Sequence, residues 1–296
     1  MAALGNASPI SPDIRVANGV VLVMPPSDMR PDGHDYASLV SNARRLAELK
    51  RFHFAGQVGD DIGSAHAYLV PGDTIVGVDR ARMLGVHSID DLFGGVVPAA
   101  YIATKVITHP LVDTGSTRPP RWNTEFSRAI EPVVLPGFSA FSRRDAVYAA
   151  RRLLRDGPVR IKEANSKGGH GQVVVASMEE VVRKLEGIAD QQFAIDGVVL
   201  ERNLADPITV SVGQVHVGNL VASYWGTQVE TRNAAGRVSY GGSRLRVVRG
   251  GFEVLLERAL DERVRAAVQQ ACRYDVEAHR AFPGLFASRR NYDVVQ

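Results

Sequence analysis

The chain has 296 residues, a hydrophobic fraction of 45% and a formal charge of +3. That is room for two domains with their own cores, and too small a basic excess, with arginines scattered and no aromatics interleaved, for a nucleic-acid footprint. No apolar run approaches the roughly 20 residues a membrane helix needs. The one cysteine, Cys272, cannot form an internal disulfide and fits a buried small apolar role. Eight histidines occur without His-Glu-x-x-His or paired-cysteine spacing, so no zinc site is expected, and no Gly-x-Ser-x-Gly elbow marks a serine hydrolase. The balance is that of a cytoplasmic, enzyme-like chain.

In chain order, residues 1–13 are small, polar and proline-containing, with no apolar core, and are expected to be a disordered tail rather than a signal peptide. Gly19 to Met24 reads as a buried strand, and Tyr36 to Lys50 as an amphipathic helix with Leu39, Val40, Ala43, Leu46 and Leu49 at helical spacing. Phe52–Gly56, Ala67–Val70 and Thr74–Val78 read as strands and Ile89 to Phe93 as a short helix, which together predict a small α/β domain on a mainly parallel sheet. Thr114 to Glu131, with Pro119, Pro120 and Trp122, reads as a long exposed loop. After Val133 to Ser142, the run Arg143 to Arg155 is a helix whose start is marked by Ser142 and Asp145. Ser177-Met178-Glu179-Glu180 is a capping box opening a helix to about Ala189. Gly197 to Leu204 and Ile208 to Val217 read as strands, and Tyr224-Trp225-Gly226 as strand residues facing a cleft or a core. Leu255 to His279 is one or two packing helices.

The most informative stretch runs from Val159 to Val175. A short strand ends in Lys162, a loop carries Ser166, Lys167, Gly168, Gly169 and Gly171, and an apolar strand follows. Glycines let backbone amides approach an anion closely, and Lys162 adds a point charge beside them, so a polyphosphate is the guest such a loop would take. The spacing fits neither the P-loop nor Gly-x-Gly-x-x-Gly. The same residues would also serve as a plain hairpin turn.

The order of elements from about residue 100 to 296 resembles the nucleotide-binding core of the ATP-grasp superfamily: strand, Ser-capped helix, Gly-Pro-Val-x-Ile-Lys strand, glycine loop, strand, helix, Val-Val-Leu-Glu strand and a further strand. Most narrowly it resembles an uncharacterised bacterial family of ATP-grasp-like proteins with no assigned reaction. The resemblance implies an α/β and α+β fold. A small pre-ATP-grasp-like α/β domain would span 14–104, a nucleotide-binding subdomain with the glycine loop 105–200, and a second subdomain 201–296, which stops before the last metal-binding strand. It implies ATP and Mg²⁺ as cofactors and small-molecule carboxylate and amine or thiol substrates joined through an acyl phosphate, with no nucleic-acid or membrane partner and a homodimer left open. A catalytically inactive nucleotide-binding or scaffolding module is the alternative, and a partner-binding α/β protein whose glycine loop is a mere turn also stays open.

Carried over by position, Lys105, Lys162 and the loop Ser166 to Gly171 would hold phosphates. Glu201, the backbone of Arg202 and Asn203, and Leu204 would line the adenine pocket. Thr209 stands where the family places a ribose-binding glutamate, and brings no charge. Asp293 would ligate the metal. In the basic, glycine-punctuated run Tyr240 to Gly251, Arg244 is the candidate for stabilising a transferring phosphoryl group or binding a substrate carboxylate. The plain reading of that run is a strand with arginines alternating to one side.

Overall fold

The computed structural model describes residues 19–60, 63, 65–166, 171–232 and 238–296. The chain divides into two compact units, Met1–Asp73 and Thr74–Gln296. In the first, β1 (Val20–Met24) is followed by α1 (His34–Lys50), β2 (His53–Gln57) and β3 (Ala67–Pro71). The strands pair in parallel in the order β2-β1-β3, as an apolar, β-branched central strand followed by a helix requires. Val21, Leu22 and Val23 are buried with Ala43, Leu46 and Ala47 of α1 and with Tyr68, Leu69 and Val70.

The second unit opens with β4 (Ile75–Val76), α2 (Val78–Met83) and β5 (Gly95–Val97), then two 3-10 turns, Ala100–Ala103 and Lys105–Thr108, and α3 (Thr124–Ile130). Two expectations change here. Ile89 to Phe93 is not a helix, because the Asp91 carboxylate accepts the amides of His87 and Ser88 and closes a loop instead. The stretch Thr114 to Glu131 is not an exposed loop throughout. Asn123 caps α3 by accepting from the amides of Glu125 and Phe126, and Phe126 and Ile130 are buried.

Next come β6 (Gly137–Ala140), α4 (Arg143–Leu153), β7 (Val159–Glu163), β8 (Gln172–Val175), α5 (Met178–Glu186), α6 (Asp190–Ile195) and β9 (Val198–Arg202). Ser142 and Ser177 cap α4 and α5 as their sequences predict. The helix expected to reach Ala189 stops at Glu186, and α6 follows it. The four strands form an antiparallel sheet in the order β6-β9-β7-β8. Alternation sorts its faces: Val159, Ile161, Val198 and Leu200 join Ala146, Ala149, Val181, Leu185 and Phe193 in one core. Arg160, Lys162, Gln172 and Glu201 stand on the other face.

The remaining elements are β10 (Thr209–Val217), β11 (Leu220–Arg232), β12 (Val238–Arg249), α7 (Phe252–Leu256), α8 (Glu262–Ala281), β13 (Phe286–Ala287) and β14 (Arg289–Val295). They build a second antiparallel sheet, β12-β11-β10-β14, with α7 and α8 packed on one face through Val210, Val212, Leu255, Val264, Ala267 and Val268. A third, small sheet has the order β13-β5-β4. The α3 helix meets α8 through Phe126, whose ring is 5.2 Å from Tyr274 and 5.0 Å from Phe282. Replacing Phe126, 1% exposed, by Ala is therefore expected to cost about 3–5 kcal/mol in urea unfolding, the range for a buried aromatic; a loss below about 0.5 kcal/mol, as on a surface loop, would contradict this packing.

Candidate functional site

The site is built on the polar face of the β6-β9-β7-β8 sheet. Lys162 and Arg160 are two apart on β7 and share that face, and Arg160 pairs in register with Glu201. The Glu201 carboxylate bridges two cations or donors. Its Oε1 forms a salt bridge with Lys162 Nζ, and its Oε2 lies 3.2 Å from His109 Nε2. His109 is 1% exposed and Glu201 7%. Burial works to raise the Glu201 carboxyl, but the His109 hydrogen bond and the Lys162 charge together outweigh it, and the group is held below its ordinary value. His109 meets the carboxylate through Nε2, while its buried Nδ1 has no hydrogen-bond partner among the described residues.

Lys105 opens its 3-10 turn just after Thr104, whose hydroxyl accepts from the Val106 amide. Its Nζ donates to the carbonyls of Glu163 (3.1 Å) and Ser166 (2.6 Å), the residues at which the chain leaves β7. Burial, and then the nearby Lys162 charge, push the Lys105 ammonium below its usual value, with Glu201 and Glu163 opposing. The loop base is closed by the Glu163 amide donating to the Gly171 carbonyl at 3.1 Å. Gly171 has φ +65°, and a Cβ there would stand 2.1 Å from Ser166 Oγ, so any side chain at this position would be strained and would have to displace Ser166. Lys167, Gly168 and Gly169, the expected phosphate loop proper, lie outside the described residues. On the helix side of β7, the Glu163 carboxylate pairs with Lys184 Nζ at 2.5 Å.

After β9 the linker departs from the expected pattern. The amides of Arg202 and Asn203 donate to the carbonyls of Pro136 and Pro158, at 2.9 and 3.0 Å, and the Asn203 side chain accepts from Arg160 at 2.8 Å. Neither amide is left for a ligand. Among the described residues the Leu204 amide carries no hydrogen bond, so the linker's open donor lies at Leu204. Its side chain is half-buried.

Thr209 and Asp293 stand on the other sheet. Ser211 is in register with both Asp293 and Gly226, and Gly226 with Leu245. Cross-strand partners share a face, so Thr209, Ser211, Tyr224, Gln228, Asn291 and Asp293 lie on the face away from α7 and α8. The Asp293 Oδ1 accepts from the Ser211 hydroxyl (2.7 Å) and the Asn291 amide (3.1 Å), and the Asn291 carbonyl oxygen accepts from Tyr224 (3.0 Å). A Cβ on Gly213 would meet the Tyr224 hydroxyl at 2.3 Å, so glycine is what lets that ring cross the strand. Arg244 pairs with Thr227 and so points to the opposite, helix-side face, within a strand rather than a flexible loop. It is not brought to Asp293. Among the described residues no group of three or more His, Cys, Asp or Glu side chains could hold a metal ion, and no helix is long and apolar enough to cross a membrane.

Lys105, Lys162, Ser166 and Glu201 are thus brought together. The residues that sequence reasoning missed are His109, Arg160 and the Leu204 amide. A signal for Arg160 lay in its i−2 spacing from Lys162, whereas those for the other two come only from tertiary partners.

Comparison with known proteins follows this geometry. Residues 22–296 match the model of DUF3182, a family described as proteins of unknown function, and the chain belongs to that family. No curated protein matches. Among solved structures, D-alanyl-alanine synthetase A from Vibrio cholerae is similar over 95% of this chain and 86% of its own, with a TM-score of 0.54 at 15% identity. D-alanine–D-alanine ligase from Bacillus anthracis is similar over 94% and 82%, with a TM-score of 0.50 at 8% identity. Carboxyaminoimidazole ribonucleotide synthase from Aspergillus clavatus, solved with ATP, covers 94% of this chain and 66% of its own at a TM-score of 0.47 and 12% identity. The fold is that of the ATP-grasp ligases.

Because the Glu201 carboxyl is lowered in the folded state, its stabilisation is present above the ordinary value of 4.5 and is lost as pH falls through the folded one. Glu201→Gln should lower stability at pH 7 by about 1–3 kcal/mol, and the gap to the native chain should narrow on acidification below 4.5. Urea midpoints of both chains at pH 7 and pH 3 read this directly; a gap that stays constant would place the stabilisation elsewhere.

Proposed function

We propose that this chain binds ATP on the polar face of the β6-β9-β7-β8 sheet and uses it to join a carboxylate to an amine or thiol. The observation that supports it is the Lys162–Glu201–His109 cluster standing beside Lys105 at the base of the Ser166–Gly171 loop. Two lysines converge where the chain turns out of a strand into glycines, which is an arrangement suited to phosphate oxygens. Glu201 fixes Lys162 in place, so little side-chain entropy remains to be lost when an anion arrives. The Leu204 amide offers the donor for the adenine edge, and the Leu204 side chain an apolar cover for its face.

The fold supports the reaction class. ATP-grasp ligases are the solved structures that this chain resembles over most of its length. In the proposed reaction a substrate carboxylate oxygen takes the γ-phosphoryl group and ADP leaves; the nitrogen or sulfur then attacks the acyl carbon, the C–O bond to phosphate breaks, and inorganic phosphate and a proton are released. Mg²⁺ would be held at Asp293, whose carboxylate is presented among hydroxyl and amide side chains. One carboxylate with phosphate oxygens and water is a donor set that this ion accepts, and when bound it would offset charge on the phosphates. The single carboxylate among the described residues there, and Thr209 in place of a charged ribose partner, favour a second reading: a nucleotide-binding module without turnover.

Calorimetry with MgATP tests both readings at once, since no binding at millimolar ATP removes them together. Lys162→Ala should weaken affinity by about 1.5–3 kcal/mol, the worth of a charge-assisted hydrogen bond; unchanged affinity would displace Lys162 from the phosphate site. ADP release with a panel of carboxylic acids and amines separates the two. Turnover is expected to vanish in Asp293→Asn while nucleotide affinity stays within a few-fold, and binding without any ADP release would favour the module.

A further inference from the structure

The basic strand singled out in the sequence is not absorbed by the nucleotide reading. It lines a cavity of about 680 Å³ between β12, β11 and the α7–α8 connection. The apolar lining comes from Val248, the buried Leu255, Leu260 and the Trp225 ring. Arg246 is the cross-strand partner of Trp225, and its guanidinium lies 5.9 Å from the indole centroid. Arg249 and Arg258 line it as well. None of the three guanidiniums pairs with a carboxylate among the described residues. Asp261 also lines the cavity, but its carboxylate accepts from the Val264 amide at 2.9 Å as the cap of α8.

The wall is tied down. Arg265 donates to the carbonyls of Leu256 (2.8 Å) and Arg258 (3.2 Å), which fixes the connection from which Arg258 and Leu260 project. By register this cavity lies on the helix-side face, opposite Asp293, so it is separate from the proposed nucleotide site and does not depend on it.

We propose that this cavity is a binding site for a small aromatic monocarboxylate. Trp225, Leu255 and Leu260 offer a planar, apolar bed of the kind that takes an aryl ring. Arg246 and Arg258 offer guanidinium forks for a carboxylate. With Arg249, the lining carries three guanidiniums against the one Asp261 carboxylate, so it is net positive and suits an anionic group. The volume lies in the range of about 300–1,000 Å³ typical of small-molecule sites.

The chain has two tryptophans, so Trp122→Phe leaves Trp225 as the only indole reporter. Titrated with phenylacetate, that chain should show a saturable change in indole emission. The neutral isostere phenylacetamide should bind about tenfold more weakly or worse, and so should phenylacetate to Arg258→Gln or Arg246→Gln, because each comparison removes a charge-assisted contact. Saturating MgATP should leave the phenylacetate affinity unchanged. Calorimetry on the unmodified chain repeats the acid–amide comparison without any substitution. Equal affinity for acid and amide, no saturation by millimolar phenylacetate, unaltered affinity in both arginine variants, or displacement by MgATP would each overturn the proposal. A chain that binds phenylacetate but no ATP would sink the nucleotide reading and leave this one standing.

Discussion

The polar face of the β6-β9-β7-β8 sheet depends on one buried carboxylate. Glu201 sits where β9, flanked by β6 and β7, gives way to the linker, and both of its oxygens are engaged, one by Lys162 and one by His109. A carboxylate at that depth is costly unless its charge is met on both sides. The two partners come from distant parts of the chain, so the pairing also joins the His109 segment to the sheet. Gly137 makes this possible: a Cβ at that position would stand 2.9 Å from the His109 ring and 2.7 Å from the Leu200 carbonyl oxygen.

A second constraint is the one-residue alternation of the β12-β11-β10-β14 sheet. It sends Ser211, Tyr224, Asn291 and Asp293 to one side, and Trp225, Arg244, Arg246 and Tyr292 to the other. On the helix side the Tyr292 hydroxyl donates to Asp275 of α8 at 2.6 Å, and Arg290 approaches the same carboxylate at 3.1 Å. Burial, with the Asp275 charge added, raises the Tyr292 phenol well above its ordinary range, so it stays a donor at all ordinary pH. That anchorage fixes the pleat of β14 and therefore the direction in which Asp293 and Asn291 project. Polar chemistry on one face is thus held by polar packing on the other.

Much of this was legible in the sequence because its signals are local. A serine followed three residues later by an acid caps a helix wherever it occurs, and Ser142 and Ser177 do so. The order of motifs from Val133 to Val217 gave the ATP-grasp architecture, whereas the face that Lys162 and Glu201 share follows from the β7–β9 register. What failed was decided by partners distant in the chain. The prolines at 119 and 120 hid α3, although Asn123 was a cap signal for it. The Arg202 and Asn203 amides looked open until Pro136 and Pro158 took them. Arg244 is the candidate because it follows Gly241 and Gly242, yet those glycines lie inside a hydrogen-bonded strand, as the plain reading of that run has it, and register fixes its side. Composition carries no trace of either event.

The segment from Phe286 to Val295 has a kinetic meaning as well. Its first part pairs with β5, so that Ala287 meets Gly95, and its second lies along β10, so that Asp293 meets Ser211. Loops of about 80 to 190 residues must close before either seam forms, and chain-closure entropy makes such seams slow to nucleate. During synthesis, β10 would wait with one margin bare until this ribbon emerges from the ribosome. An unpaired margin of that kind invites pairing with other chains, so the interval between translation of β10 and arrival of β14 leaves this edge open to aggregation.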